Sequence, residues 1–128
     1  MIKKIKTSLI FICLFFVANT LSQKNIDPWK KLVEENNCKV SFIFYKKADN
    51  YNNGIVIKIE NKNKFRIKYK FTIIAKTEKI KKEKFFNGIL KGFETITGSS
   101  NHLFWIPKLN GLSITEVGIT KWKFVKSQ

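Results

Sequence analysis

The stretch Phe65-Arg-Ile-Lys-Tyr-Lys-Phe-Thr-Ile73 decides the fold of this chain. Its apolar residues stand at every second position, and the positions between them hold Arg66, Lys68, Lys70 and Thr72. Successive side chains of a β-strand point to opposite faces of the sheet, so this period of two is typical of a half-buried strand. The stretch therefore predicts a strand with one face in the core and a row of basic side chains in water.

Similar runs stand on both sides of this strand. In two of them, 40–44 and 55–59, every second position is apolar, and further runs occupy 85–90, 103–106 and 114–125. Short links rich in Asn and Gly separate them, such as Asn52-Asn53-Gly54 and Asn61-Lys62-Asn63, as expected between antiparallel strands. Six or seven short strands predict a single all-β domain. We interpret it as an antiparallel β-sandwich, with a small β-barrel as the alternative.

Two segments do not read as strands. Asp27 suits a helix N-cap, Pro28 suits the first helical position, and Trp29, Leu32 and Val33 share one helical face, which predicts a short helix over 27–36. The charged segment 79–84 has no apolar alternation. It is interpreted as a loop.

The first residues have the order of a secretory signal. Lys3, Lys4 and Lys6 precede the apolar run 9–18, which is too short to span a membrane. We expect a signal peptide over 1–22, an N-terminal segment over 23–37 and the β-sandwich domain over 38–128. The mature chain would begin near Gln23, have no membrane span, and reach the periplasm or the extracellular space.

Four motifs carry a resemblance to known proteins. The strand Gly54-Ile-Val-Ile-Lys-Ile-Glu-Asn-Lys-Asn63 leads into Phe65–Ile73; Phe42-Ile-Phe-Tyr45 precedes the pair and Phe104-Trp-Ile-Pro107 follows it. Together they resemble small exported proteins of the Bacteroidota with an immunoglobulin-like β-sandwich. The resemblance implies a fold and no activity.

The chain is strongly basic, with a formal net charge of +16 from 25 Lys and Arg residues against nine Asp and Glu residues. Such a charge attracts polyanions, including acidic polysaccharide, lipopolysaccharide and nucleic acid. Arg66 is the only arginine, however, and bidentate recognition of phosphate or bases favours arginine. Simple solvation of the surface is therefore the competing interpretation. The candidate polyanion-binding residues are Lys58, Arg66, Lys68 and Lys70, with Lys123 as a further candidate.

A second candidate surface is aromatic. The run Leu103-Phe104-Trp105-Ile106 is apolar at four consecutive positions, so its strand is either covered on both faces or presents an apolar patch. In the second case Phe104 and Trp105 would bind a protein or glycan partner in the cell envelope. A non-enzymatic binding or protein-interaction module of unknown ligand is the function we expect, and a basic polyanion binder is the alternative.

The sequence offers little support for catalysis, a cofactor or a metal. Asp49 and Glu60 have the spacing of a calcium loop, but the intervening residues alternate as a strand, which favours a turn. His102 follows the Ser99-Ser100 pair without any further sign of a catalytic triad. Cys38 shares the parity of Val40 and is expected to be buried and inert, with an intermolecular disulfide as the alternative.

Overall fold

A computed structural model describes residues 27–128. These residues form eight strands and one 3₁₀ turn, at Ser99–Asn101. They contain no α-helix, so there is no helix among them that could span a membrane. The signal peptide expected over 1–22 and the first part of the 23–37 segment lie outside the described residues. The strands are β1 (Lys30–Glu35), β2 (Cys38–Tyr45), β3 (Gly54–Asn61), β4 (Ile67–Lys76), β5 (Lys81–Leu90), β6 (Thr95–Thr97), β7 (Phe104–Trp105) and β8 (Glu116–Lys126).

The strands form two antiparallel sheets. The first sheet has the order β1-β2-β3-β6, and β7 pairs with β3 beyond the end of β6; the second has the order β5-β4-β8. The chain passes from one sheet to the other three times, after β3, after β5 and after β7. The all-β prediction is confirmed. The sheets do not close on each other, so the alternative of a barrel was wrong.

The core lies between the two sheets and follows the alternation seen in the sequence. In β4, Ile67, Phe71 and Ile73 are buried, whereas Lys68 and Lys70 are exposed. The Phe71 ring stacks between Tyr69, at 5.8 Å between ring centroids, and Phe86, at 5.4 Å. Apolar residues of the first sheet cover this layer from the other side, among them Cys38, Val40, Phe42, Ile55, Ile57 and Ile59.

The helix predicted over 27–36 is wrong, because this segment contains strand β1. Asn36 and Asn37 have φ angles of 53° and 57°, the left-handed pair that a two-residue hairpin turn requires. The turn pairs β1 with β2, and Val33 lies opposite Val40. A helix of two turns gains little by itself, whereas a strand at this place extends an existing sheet.

The loop predicted over 79–84 is also wrong for most of its length. Residues from Lys81 onward belong to β5 and pair with β4, beginning with Lys81 opposite Lys76. The link is a tight turn in which the Thr77 N–H donates to the Ile80 carbonyl oxygen at 2.8 Å. Pairing with a long neighbouring strand therefore overrides the low strand propensity of a lysine-rich segment.

Asn61, the last residue of β3, connects two of the passages between the sheets. The residue is 2% exposed. Its Nδ2 donates to the carbonyl oxygens of Phe65 and Lys91, at 2.9 Å each, and its Oδ1 accepts from the Asn63 N–H at 3.0 Å. Phe65 lies in the β3–β4 link and Lys91 in the β5–β6 link. One amide thus fixes both links.

Candidate functional site

The outer face of the second sheet gathers three lysines from two strands. Residues directly opposite each other in a ladder point to the same face. Lys68 lies opposite Val125, and Lys70 lies opposite Lys123. Lys68 and Lys70 are two residues apart on one strand, about 6.8 Å, and Lys70 and Lys123 are Cα neighbours at about 5 Å. The three cationic side chains therefore start from a small triangle on one surface.

Apolar side chains flank this triangle. Phe85 is 56% exposed, Ile89 is 54% exposed and Val125 is 40% exposed, and all three lie on the same outer face by their register with β4. Phe85 and Val125, together with the lysines, line a shallow depression of about 320 Å³. Its lining residues are Lys68, Tyr69, Lys70, Phe85, Asn87, Lys123 and Val125. We call this surface the lysine face.

Charge is distributed unevenly along the outer side of the sheet. At the far end, Lys76 pairs with Glu116 at 3.8 Å and Lys81 with Glu83 at 3.5 Å. Within residues 27–128, none of the three lysines of the lysine face forms a salt bridge. The positive field therefore concentrates at one end of the sheet.

The structure does not bring all the predicted basic residues together. Lys58 lies in β3, on the outer face of the other sheet, with its Nζ 4.5 Å from the centroid of the Trp29 ring. Arg66 is exposed and directly precedes β4; its carbonyl oxygen accepts the Ser127 N–H at 2.8 Å. Lys68 and Lys70 meet Lys123, the further candidate. The lysine face is thus narrower than the predicted set.

Phe104 and Trp105 point to opposite sides of the first sheet. Phe104 lies opposite Val56, with its ring over Gly54 and its centroid 5.8 Å from that of Tyr45. Trp105 packs against the core. Both are half-buried. A partner at this place would meet mainly Tyr45, which is 58% exposed, rather than the tryptophan.

Asp49 stabilises a turn. Its carboxylate accepts the backbone N–H groups of Asn52 and Tyr51, and Lys108 Nζ lies 3.3 Å from it. These hydrogen bonds, that of the Asn52 N–H first, hold the pKa of Asp49 far below its ordinary value. Glu60 lies near the other end of β3, 3.5 Å from Lys39 Nζ. No group of three or more potential metal ligands occurs in the described part of the chain.

The remaining reactive side chains have structural surroundings. His102 is exposed at the end of the 3₁₀ turn with φ 60°, and Ser99 and Ser100 are exposed within it. Cys38 is fully buried at the start of β2, and burial raises the pKa of its thiol. A buried thiol of raised pKa is a weak nucleophile, as expected from the sequence.

Comparisons with protein-family models, with curated proteins and with solved structures found no match to the chain. What the protein binds must therefore be inferred from the chemistry of its own surfaces.

Proposed function

We propose that this protein is a non-enzymatic, exported binding module and that it holds acidic polysaccharide on the lysine face. The observation that carries the proposal is the triangle of Lys68, Lys70 and Lys123, which apolar side chains flank. Within residues 27–128 none of these three lysines forms a salt bridge with a carboxylate. Ammonium groups are compact point charges that attract anionic groups without demanding one bidentate geometry. A chain of acidic sugars meets this arrangement well, because its carboxylates contact the lysines while its C–H faces pack on Phe85 and Val125.

The expected strength is modest. An exposed ion pair contributes about 0.2–1 kcal/mol, so three of them account for an affinity gain of between about 3-fold and about 150-fold. Salt screens exposed charges over about 8 Å at physiological ionic strength. We therefore expect the protein to bind at repeated positions along a polymer, and we expect its affinity to fall steeply as salt is added.

We further propose that the two sheets form an immunoglobulin-like sandwich. That fold places strands A, B and E in one sheet and strands C and F in the other, with C′ beside C in its variable form. Here β2, β3 and the β6–β7 pair would take the positions of A, B and E, and β5, β4 and β8 those of C′, C and F. The strand order and the three passages between sheets support this assignment.

The test is a calorimetric titration of the purified mature chain with polygalacturonate, repeated at rising salt concentrations. The triple variant Lys68→Gln, Lys70→Gln and Lys123→Gln should bind at least threefold more weakly. The matched control replaces Lys46, Lys64 and Lys79 with Gln. These residues are exposed and lie away from the lysine face, and the control has the same net charge as the first triple variant. Equal losses in the two triple variants would refute a localised site and leave only the overall charge of the protein.

Partner binding around Phe104 and Trp105 is the second candidate, and the exposure of Tyr45 favours it. Aromatic anchors dominate protein interfaces, and their contribution is insensitive to salt. A Tyr45→Ser variant should therefore lose a salt-resistant partner while it keeps polygalacturonate binding. Export itself is tested by the mass of the secreted product, which should begin at Gln23.

A further inference from the structure

Exposed sheet edges invite pairing with other chains, and proteins protect them with bulges, charges or very short strands. Three of the edges here are protected. In β8 the register shifts opposite the segment from Lys70 to Thr72, and Lys121 has φ 55°, which is a bulge. In β1 a similar shift falls between Lys31 and Val33. On the remaining edge of the first sheet, β6 has three residues and β7 has two.

The fourth edge, β5, is different. All ten of its residues pair with β4 without a shift in register. Apart from the β4 ladder, no hydrogen bond within the described residues involves the backbone of 81–90. Lys81, Lys82 and Lys84 guard the first part of the strand, but Phe85–Leu90 contains no charge, no proline and no bulge. A regular, uncharged edge of six residues, four of them apolar, therefore faces solvent.

We propose that this edge binds an extended segment of a partner protein as an added antiparallel strand. Main-chain hydrogen bonds provide affinity in such complexes, and alternate side chains provide specificity. One row of added side chains would lie beside Phe85 and Ile89 on the outer face, which calls for apolar residues. The other row would face a second depression of about 250 Å³, between β5 and the 3₁₀ turn, whose lining includes Asn101 and His102 and calls for polar residues.

The charges of the edge define the partner further. Of the four charged residues at the start of β5, three are lysines, and Glu83 is already paired with Lys81. The added strand runs antiparallel, so its second half lies opposite these lysines and should carry carboxylates. A second copy of this chain fits less well, because two strongly basic chains repel each other. The structure thus points to a segment that alternates apolar with polar residues in its first half and apolar with acidic residues in its second.

The probe is a capped ten-residue peptide that alternates Val with Thr in its first half and Val with Glu in its second. It should bind the mature protein and slow hydrogen exchange, measured by NMR, at those amides of β5 that point away from β4. Two further peptides carry N-methyl groups at the odd or at the even positions. An added strand uses only one of its two edges, so one of these peptides should lose binding at least tenfold and the other should keep it.

Variants of the protein complete the test. Ile89→Lys places a charge beside the edge and should weaken the peptide at least tenfold. Val125→Lys, opposite Lys68 on the β8 side of the same face, is the matched control and should leave peptide binding unchanged. The glutamine triple variant of the lysine face should also bind the peptide normally, which separates this proposal from polysaccharide binding.

Three results would overturn the proposal. One is binding without slower exchange in β5. Another is equal binding of the two N-methylated peptides. The third is protection of the same amides without peptide that grows with protein concentration, since the occupant would then be a second copy of the chain.

Discussion

Replacement of Asn61 by alanine should destabilise the protein by more than the loss of a single hydrogen bond would. The change removes three hydrogen bonds with backbone groups, to the Phe65 and Lys91 carbonyl oxygens and from the Asn63 N–H. A net contribution of about 1 kcal/mol for each gives a loss of ~3 kcal/mol. That is a large part of the roughly 5–15 kcal/mol by which a typical domain is stable.

The assay is urea unfolding of the mature protein, followed by tryptophan fluorescence. Asn87→Ala is the control, because Asn87 is exposed and forms no side-chain hydrogen bond within residues 27–128; it should change the unfolding free energy by less than about 0.5 kcal/mol. An Asn61→Ala value within about 0.5 kcal/mol of wild type, the usual range of surface substitutions, would refute the role assigned to Asn61.

Asn61→Asp gives the reasoning a second check. A carboxylate at this buried place would face two carbonyl oxygens, so its pKa in the folded state would rise above the unfolded value of about 3.9. The folded variant would then bind more protons than the unfolded one. Its deficit in stability relative to wild type should therefore grow as the pH rises above about 4 and shrink below it. A deficit independent of pH would contradict this account.

Three further predictions concern single positions. Gly92→Ala should cost about 1–3 kcal/mol or more in thermal unfolding, because a Cβ there would clash with the Lys64 carbonyl oxygen. In Gly118→Ala the added Cβ meets no atom within 4 Å, so this variant should be tolerated. Cys38 should resist iodoacetamide in the folded protein and react fully in urea, as checked by mass; rapid labelling without urea would contradict its burial. Because the pKa of Asp49 is depressed in the folded state, the wild-type protein should lose stability as the pH falls below the ordinary value of 3.8. Asp49→Ala should therefore flatten the dependence of the melting temperature on pH in this range. Parallel curves for the two proteins would contradict the stabilising role of Asp49 in the turn.

The strands that the sequence predicted best are those with strict alternation. In β4 every second residue is apolar and the others are mostly basic or hydroxylated, so the alternation alone assigns the buried face. In β5 the doublets Phe85-Phe86 and Ile89-Leu90 fit either face. Only the pairing with β4 shows that Phe86 and Leu90 point inward and that Phe85 and Ile89 are exposed. The apolar flank of the lysine face was missed for this reason.

Errors arose where pairing between strands decides the structure. Pro28 and the spacing of Trp29, Leu32 and Val33 favour a helix locally, yet an adjacent strand edge converts the segment to β1. The alternation of apolar residues also cannot show that the chain passes from one sheet to the other between β3 and β4. This passage places Lys58 and Lys68 on different sheets. The partnership of Lys70 with Lys123 likewise depends on a bulge in β8 that no local pattern indicates.

The pairing of β4 with β8 has a consequence for the order of folding. Ile67 at the start of β4 lies opposite Lys126 at the end of β8, and three strands of the chain separate the two partners. The second sheet thus remains a two-stranded hairpin until β8 has been synthesised, and contacts this distant in sequence form slowly. A chain that completes its fold late remains unfolded for longer, so the long sequence separation of β4 from β8 is compatible with the export that we propose.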